Sequence, residues 1–211
     1  MDVLARLDQA RAATDVLQHP FYQRWSAGEL SREELGRYAG QYRHAVRALA
    51  AASDGAAAVA GPRHADGLSR HAEEERAHIA LWDGFAHACG AATDDEPLAG
   101  TASCVASWQA GEDLLERLAV LYAIEASQPA ISQTKLEGLR EHYDHVEEGP
   151  ATEYFSVHAV RDHEHADAAG RLIDELIAAV PDREATTERM VARAEAALRG
   201  NWRLLDDVDA A

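Results

Sequence analysis

The segment YFSVHAVRDHEHAD, residues 154–167, contains three histidines and three acidic residues. His158, Asp162 and His165 are spaced by four and three residues, so on a helix their side chains project from one face. If that face is directed at a helical core, each polar group needs a partner, because burying an unpaired polar group is costly. A metal ion is one such partner, and a solvated helix face is the alternative.

A second segment, RHAEEERAHIALW, has the same chemistry. Glu75 and His78 form a Glu-x-x-His pair, a spacing that in helical bundles directs a carboxylate and an imidazole at one metal. Glu74 lies four residues before His78 and shares its face equally well, so the choice between the two glutamates stays open. His71 lies one further turn along that face, whereas Glu73 is expected to be solvated.

A third candidate is Glu125, a lone carboxylate inside the apolar segment 118–131. Such a carboxylate must be paired, protonated or metal-bound unless it lies on an exposed edge. Three imidazoles and three carboxylates suit two ions of intermediate softness, such as iron or manganese, at about 3.5–4 Å from each other. The candidate ligands are His78, Glu125, His158, Asp162, His165 and one of Glu74 and Glu75.

Composition restricts the classes of function. The net charge of −17 disfavours nucleic acid as a partner, because that partner requires a basic surface. The N-terminal stretch MDVLARLDQARAATDVLQHPFY has no signal-peptide core, no apolar run is long enough to span a membrane, and Cys89 and Cys104 do not form a disulfide framework. A cytoplasmic protein is therefore expected. Lys135 is the only lysine among 20 basic residues, which indicates either codon bias or a specific role.

The periodicity of apolar residues is helical throughout and predicts one all-α domain, residues 1–211, of about seven or eight helices. The sequence SREE at residues 31–34 is a capping box that opens a helix of some twenty residues. A long helix is expected to begin near Glu112, with a kink at Pro129. The other principal helices are predicted at residues 3–17, 63–88, 102–110, 152–179 and 183–205.

Three stretches together resemble a known family. HPFYQRWSAGELSREELGRYAGQYRHAV is similar to the opening of the TenA/PqqC superfamily, whose members have the heme-oxygenase-like helical fold. LAVLYAIEASQPAISQTKLEGLREHY and YFSVHAVRDHEH resemble the heme-oxygenase-like di-iron oxygenases, and among them the CADD-type para-aminobenzoate synthases. The likeness extends over residues 19–177.

The resemblance implies two iron ions, or a Mn/Fe pair, with O2 as co-substrate and an external reductant. The ligands of the family are a Glu and a His on one helix, a Glu on a second, and a His-x3-Asp-x2-His set on a third. They correspond to Glu75 or Glu74, His78, Glu125, His158, Asp162 and His165. A homodimer is also implied by the resemblance, whereas the absence of nucleic acid and membrane partners is expected from the charge and the apolar pattern described above.

In the CADD type, the resemblance further implies that the enzyme consumes its own tyrosine as the source of the aromatic ring of para-aminobenzoate, a precursor of folate. A lysine ten residues after the second-helix Glu supplies the amino group, and that position is Lys135. The matching tyrosine is Tyr22 in HPFY, and a second family tyrosine corresponds to Tyr38.

Two departures leave alternatives open. The stretch EEERAH is more compact than the corresponding family segment, and the tyrosine expected just before Glu125 is Ile124, with Tyr122 nearby. One alternative is a di-iron oxygenase acting on a small external substrate, a fatty acid or an amino acid, which would need neither Tyr22 nor Lys135. Another is a TenA-like thiamin-salvage protein, although the segment YAIEASQPAIS lacks the required cysteine. A metal-free helical interaction protein is the third.

Overall fold

Helices and short connections make up the chain from residue 2 to residue 211, the part described by the computed structural model, and no strand occurs in that range. The all-α prediction is therefore confirmed. The α-helices are α1 (Val3–Ala13), α2 (Pro20–Ala27), α3 (Arg32–Val59), α4 (Pro62–Ala88), α5 (Ala99–Trp108), α6 (Leu114–Glu125), α7 (Gln128–His142), α8 (Glu153–Ile177) and α9 (Arg183–Ala210), with a 3-10 turn at Val16–Gln18.

The helix ends follow local chemistry. The predicted capping box is present, since the backbone N–H of Glu34 donates to the Ser31 hydroxyl and the Ser31 backbone N–H donates to the Glu34 carboxylate. At the start of α2, the imidazole Nδ1 of His19 accepts from the N–H of Phe21. That helix ends at Gly28, whose positive φ of 72° is a conformation that glycine adopts without strain.

The predicted kink at Pro129 is instead a break between two helices. α6 ends at Glu125, α7 begins at Gln128, and Pro129 occupies the first turn of α7. Proline has no N–H to donate to the previous turn but is well suited to a first turn, so the chain stops and restarts there. The break places Glu125 at the end of one helix and Lys135 in the next.

Two hydrophobic clusters form the core. The larger is rich in aromatic residues, including Tyr22, Tyr38 and Trp82, and the smaller is aliphatic, including Leu118 and Ile173. α6 contributes to both clusters, and α8 packs against α4, α6 and α7. The polar faces of α4 and α8 therefore meet α6 inside the bundle. Among the helices formed by residues 2–211, none is long and apolar enough to cross a lipid bilayer.

Candidate metal centre

Histidine and acidic side chains converge where α4, α6 and α8 meet. Two groups have ligand atoms that all lie within 4.8 Å of one another: His71, Glu75, Glu125 and His165 in the first, and Glu75, His78 and His158 in the second. Because the first borders a surface cleft and the second borders aromatic rings, we call His71, Glu125 and His165 the cleft-side half, and His78 and His158 the aromatic-side half. Glu75 belongs to both groups, so one buried carboxylate lies between the two halves.

Short approaches between these ligand atoms do not have hydrogen-bond geometry. Nε2 of His71 lies 2.8 Å from Oε1 of Glu125, and Nδ1 of His78 lies 3.3 Å from Oε1 of Glu75. All four of these buried atoms lack a hydrogen-bond partner within residues 2–211. Buried polar atoms are otherwise almost always paired, so atoms that point at a common space without bonding to each other fit a bound cation. The side chains present therefore suit a metal ion.

Asp162 lies beside the same cluster. It is buried, its Oδ1 is 3.5 Å from Nδ1 of His165, and neither carboxylate oxygen has a hydrogen-bond partner in the part of the chain described. Burial, reinforced by the neighbouring carboxylates of Glu125 and Glu75, raises the pKa of Asp162 to about 7. A cation would relieve this cost by stabilising the carboxylate form.

Two histidines are oriented by bonds through the ring nitrogen that faces away from the cluster. Nδ1 of His158 lies 2.7 Å from the carbonyl oxygen of Tyr154, and Nε2 of His165 lies 3.0 Å from Oε2 of Glu74. Donation of these ring N–H groups leaves Nε2 of His158 and Nδ1 of His165 free for a metal, which is a common support for metal-bound imidazoles.

The geometry distinguishes Glu74 from Glu75, which the sequence leaves as equal candidates. The side chain of Glu74 is 41% exposed and contacts His165 and Arg161. The side chain of Glu75 is 2% exposed and lies within the ligand-atom groups. The structure therefore favours Glu75 as the ligand candidate and Glu74 as the residue that orients His165.

The two halves differ in electrostatics. Burial lowers the pKa of His158 to about 4, because the attraction of Glu75 for the imidazolium form is too small to offset the cost of burial. Burial also opposes charge on His165, but the surrounding carboxylates, Asp162 and Glu125 first, outweigh it and raise the pKa to about 9. Burial is the largest single influence on His71 and opposes its charge, but Glu125 and Glu75 together outweigh it and raise the pKa of His71 above its ordinary value. Metal binding at the cleft-side half would therefore release protons.

Aromatic rings pack against the aromatic-side half. The ring of Tyr154 stacks on His158 with centroids 3.9 Å apart, and Trp82 contacts Tyr154 edge-on at 4.9 Å. Trp82 in turn lies 5.9 Å from Tyr38. These contacts form a continuous row of rings from the ligand cluster to the tyrosines selected from the sequence.

Lys135 lies fully buried at the centre of this aromatic chamber. Its side chain is 0% exposed, and Nζ has no hydrogen-bond partner among residues 2–211. Burial lowers its pKa well below the ordinary value, so the neutral amine is far more populated than in an exposed lysine. Nζ lies 4.6–5.5 Å from the ring centroids of Tyr22, Tyr38, Tyr42, Trp82 and Phe155.

Tyr22 and Tyr38 are joined by a hydrogen bond between their hydroxyl oxygens, 2.9 Å apart. Both side chains are buried, and burial raises both pKa values well above that of an exposed phenol. Both therefore remain protonated in the ground state. The three residues assigned to catalysis from the sequence thus lie together in one water-excluded space.

Sequence reasoning missed two residues of this region. His71 was noted on the face of His78 but not selected, and Tyr154 gave no signal beyond its position one turn before His158. Tyr122 does not replace the tyrosine absent at position 124, because its hydroxyl donates to Asp8 of α1. Tyr154 is the tyrosine that contacts a ligand candidate.

An open cleft of about 820 Å³ lies between α4 and α8, and His71 and His165 form part of its wall. Leu68 and Leu121 add apolar surface to its lining. The arginines along the cleft are Arg63, Arg70, Arg161 and Arg171, interspersed with acidic residues. The cleft-side half is therefore within reach of small solutes, whereas the aromatic chamber is not.

Comparison with known proteins shows to which family the chain belongs. The profile of the family described as iron-containing redox enzymes matches residues 38–202. The chain belongs to this family. A protein of Nitrosomonas europaea named 4-aminobenzoate synthase is 31% identical over 96% of this chain and 89% of its own length. Another of that name, from Chlamydia muridarum, is 28% identical over 83% of this chain and 79% of its own. Para-aminobenzoate and 4-aminobenzoate are the same compound, so the resemblance to para-aminobenzoate synthases is confirmed.

The solved structures agree with the fold. A protein of Shewanella denitrificans described as having a heme oxygenase-like fold superposes with a TM-score of 0.78 over 100% of this chain and 93% of its own, at 18% identity. At that identity the likeness concerns the fold, and it confirms the heme-oxygenase-like prediction.

Proposed function

We propose that this protein is an O2-dependent 4-aminobenzoate synthase that takes the aromatic ring from its own Tyr22 and the amino nitrogen from its own Lys135. The observation that carries the proposal is the environment of Lys135. The only lysine of the chain lies 5.4 Å from the ring of Tyr22 and has no hydrogen-bond partner among residues 2–211, and Trp82 and Tyr154 connect its surroundings to the candidate ligand cluster. A buried lysine without an ion pair is costly, so a role in chemistry explains its position better than stability does.

Two iron ions, or one manganese and one iron, would be held by the ligand cluster, in which imidazoles and carboxylates suit both metals. Bound iron, with an external reductant, supplies the redox chemistry that activates O2 and oxidises an aromatic ring. The protein positions and shields the groups that react. The ligands proposed from the family pattern are Glu75, His78, Glu125, His158, Asp162 and His165.

Tyr38 would hold the hydroxyl of Tyr22 in place. Their oxygens are 2.9 Å apart in a buried setting, and either hydroxyl can be the donor of this bond. A neutral phenol is too weak a base to keep a second proton, so Tyr38 can take the proton of Tyr22 only while it gives up its own. Tyr38 is therefore proposed as the hydrogen-bond partner that positions the Tyr22 hydroxyl, and Tyr22 as the ring donor.

The row of rings provides a route for electrons from Tyr22 toward the ligand cluster. Tyr38, Trp82 and Tyr154 contact one another in sequence, with centroids 5.9 and 4.9 Å apart, and Tyr154 stacks on His158. This route takes the place of the family tyrosine that is absent at Ile124. Trp82 and Tyr154 are thus proposed to carry oxidising equivalents.

Lys135 would act as the nucleophile. Its lowered pKa leaves the amine lone pair available, and the surrounding rings exclude the water that would compete for an oxidised ring. Attack of Nζ on the oxidised ring of Tyr22, at the carbon that bears the hydroxyl, would form the C–N bond, and the phenolic oxygen would leave as water. Cleavage of the Cε–Nζ bond of Lys135 and of the Cα–Cβ bond of Tyr22 would release the product, with O2 as the oxidant that converts Cβ to the carboxylate. The chain would then be consumed, giving at most about one product per polypeptide.

Isotope labelling tests the origin of both parts of the product. Protein made with 13C-ring tyrosine and 15N-lysine is loaded anaerobically with Fe(II), then given reductant and O2, and the small-molecule fraction is measured by mass spectrometry. We expect 4-aminobenzoate that carries both labels, together with chains altered at Tyr22 and Lys135. Unlabelled product from intact chains contradicts the proposal.

Two variants and one control complete the test. Tyr22→Phe removes the phenolic oxygen, and Lys135→Arg replaces the nucleophilic amine by a guanidinium. Both variants are therefore expected to abolish product. Tyr122→Phe is the matched control, since Tyr122 lies outside the chamber and bonds to Asp8. Full activity in the first two variants would show that their side chains are not reagents.

The cleft favours one second candidate, an oxygenase acting on a small external substrate. A volume of about 820 Å³ beside His71 and His165 would admit a fatty acid or an amino acid. Such an enzyme would oxidise added substrate repeatedly, and Lys135→Arg would not affect it. Turnover of a fatty-acid and amino-acid panel by wild type and Lys135→Arg separates the two functions.

We further propose a cytoplasmic homodimer. Light scattering in solution and fractionation of cells test these two expectations independently of the chemistry.

A further inference from the structure

We infer that His71 is a metal ligand, so that the centre is a four-histidine site in which each metal position is held by one imidazole from α4 and one from α8. This inference rests on the metal centre of the proposed function and adds a donor that the family pattern does not contain. It is carried by the spacing of donors on two helices, by the pairing of their rings and by the contacts of His71.

The two helices carry the same spacing of ligand-type residues. In each, an imidazole is followed four residues later by a carboxylate and three residues after that by a second imidazole. Such a spacing presents all three side chains on one face over two helical turns. The sets are His71, Glu75 and His78 on α4, and His158, Asp162 and His165 on α8.

The rings pair in opposite order along the two helices. The centroids of His71 and His165 are 4.5 Å apart, and those of His78 and His158 are also 4.5 Å apart. The first histidine of one set thus meets the last histidine of the other, as expected for antiparallel helices. His71 therefore has the same relation to its half of the centre as His158 has to the other half.

The contacts of His71 are those of a ligand rather than of a supporting hydrogen bond. Its Nε2 is 2.8 Å from Oε1 of Glu125 and 3.8 Å from Oε1 of Glu75, yet it bonds to neither. His165 and Glu74 show the contrast, because their contact at 3.0 Å does have hydrogen-bond geometry. The ring nitrogen and the carboxylate oxygen are thus directed at a common point.

The inference makes the two metal positions chemically different. Both positions have two imidazoles and share Glu75, whereas only the cleft-side group adds Glu125, and Asp162 approaches its His165 at 3.5 Å. The cleft-side position is therefore the more anionic, and it lies nearer to solvent because His71 and His165 line the cleft.

A pair of substitutions separates a ligand from a positioning residue. His71→Gln keeps an N–H that can donate to Glu125 but replaces the imidazole by a poor ligand. His71→Glu supplies a good ligand but places a second carboxylate beside Glu125. His64→Ala is the control, because His64 lies on α4 and lines the cleft, and its Nε2 is 3.5 Å from Glu175 rather than in the cluster.

The measurements are iron per chain after anaerobic loading with Fe(II) and the Mössbauer spectrum of 57Fe-loaded protein. Wild type and His64→Ala are expected to bind about two irons. His71→Gln is expected to retain about one iron and to lose one ferrous component of the spectrum, whereas His71→Glu keeps both. Added imidazole, which the cleft admits, should restore the second iron in His71→Ala.

The opposite pattern overturns the inference. If His71→Gln keeps two irons with an unchanged spectrum and His71→Glu loses iron, His71 only positions Glu125, and the proposed function stands. If wild type binds no iron, the inference and the metal centre of the proposed function both fail. Circular dichroism of each metal-free variant shows whether a loss of iron comes from misfolding.

Discussion

The two halves of the candidate metal centre use the same residue types in different surroundings. His158 and His165 lie two turns apart on one helix face, yet His158 is 0% exposed with a pKa of about 4, and His165 is 11% exposed at its side chain with a pKa of about 9. An aromatic ring packs on His158, and burial outweighs the attraction of Glu75 for its charged form, whereas several carboxylates surround His165. Helical spacing thus fixes where an imidazole points, and tertiary packing fixes whether it carries a proton.

Under the proposed function, the same contrast gives the two halves different tasks. The cleft-side half is polar and borders the open cleft, so it suits the exchange of metal ions, protons and a small reductant. The aromatic-side half is dry and adjoins Tyr154, so it suits the oxidation of a ring that water must not reach. A single carboxylate, Glu75, joins them.

The largest effect is expected from removing an imidazole of the dry half. His158→Ala should lose iron from the aromatic-side position and lower product formation by more than about 100-fold, since loss of supporting partners alone costs 10–100-fold. Iron analysis and product assay measure both effects. His163→Ala is the control, because His163 is exposed on the same helix. An unchanged iron content in His158→Ala would contradict the division of the centre into two halves.

A smaller effect is expected from loosening the support of the cleft-side half. Glu74→Gln removes the carboxylate that accepts from Nε2 of His165 and should weaken iron affinity about 10–100-fold. Glu73→Gln is the matched control, because Glu73 is the neighbouring exposed glutamate. Competition with a ferrous chelator measures the affinity. Equal affinities in the two variants would show that His165 needs no support.

Burial of Lys135 in the aromatic chamber is expected to lower the stability of the folded protein. Lys135→Met should stabilise the metal-free protein by about 1–3 kcal/mol at pH 7, because it removes a buried amine without a partner in the described chain. A rise in Tm of about 2–4 °C per kcal/mol follows for a chain of this size. A loss of stability would show that the amine is stabilised by the surrounding rings.

The pH dependence of this difference has a definite sign. Because the folded-state pKa of Lys135 is lowered, the unfolded chain binds the extra proton, and wild-type stability rises with pH. The advantage of Lys135→Met should therefore shrink by up to about 1.4 kcal/mol per pH unit between the folded-state pKa and about 10.4. Urea unfolding of both proteins between pH 7 and 9.5 measures it, and a constant difference would contradict a neutral Lys135.

The smallest effect is expected at the rim of the cleft. Arg161 forms exposed ion pairs with Glu74 and Glu164, so Arg161→Gln should change the free energy of unfolding by less than about 1 kcal/mol. Chemical unfolding at low and high salt measures this. A larger effect would show that the cleft wall helps to hold the metal centre.

Parts of this structure follow directly from local sequence. The capping box at Ser31 and the alignment of His158, Asp162 and His165 depend only on neighbours within two turns, so spacing is sufficient to predict them. The unusual lysine was visible as a composition anomaly, but its burial among rings contributed by several helices was not.

Other parts depend on contacts between helices and could not be read from spacing. Glu74 and Glu75 differ by one position, so the choice depends on how α4 is rotated against α8. The spacing of His71 from Glu75 and His78 is visible in the sequence, but its approach to Glu125 at the end of α6 is visible only in the structure. The stacking of Tyr154 on His158 follows from their spacing on α8, but the contact between Tyr154 and Trp82 of α4 depends on how the two helices pack.

The burial of the only lysine also has a consequence for chemical labelling. Most proteins expose many lysine amines, and an acylating reagent modifies them without reporting on the interior. Here the single side-chain amine is enclosed by rings. Acylation of Lys135 therefore requires the core to open, and its rate measures how often the chamber is exposed to solvent, without background from any other lysine.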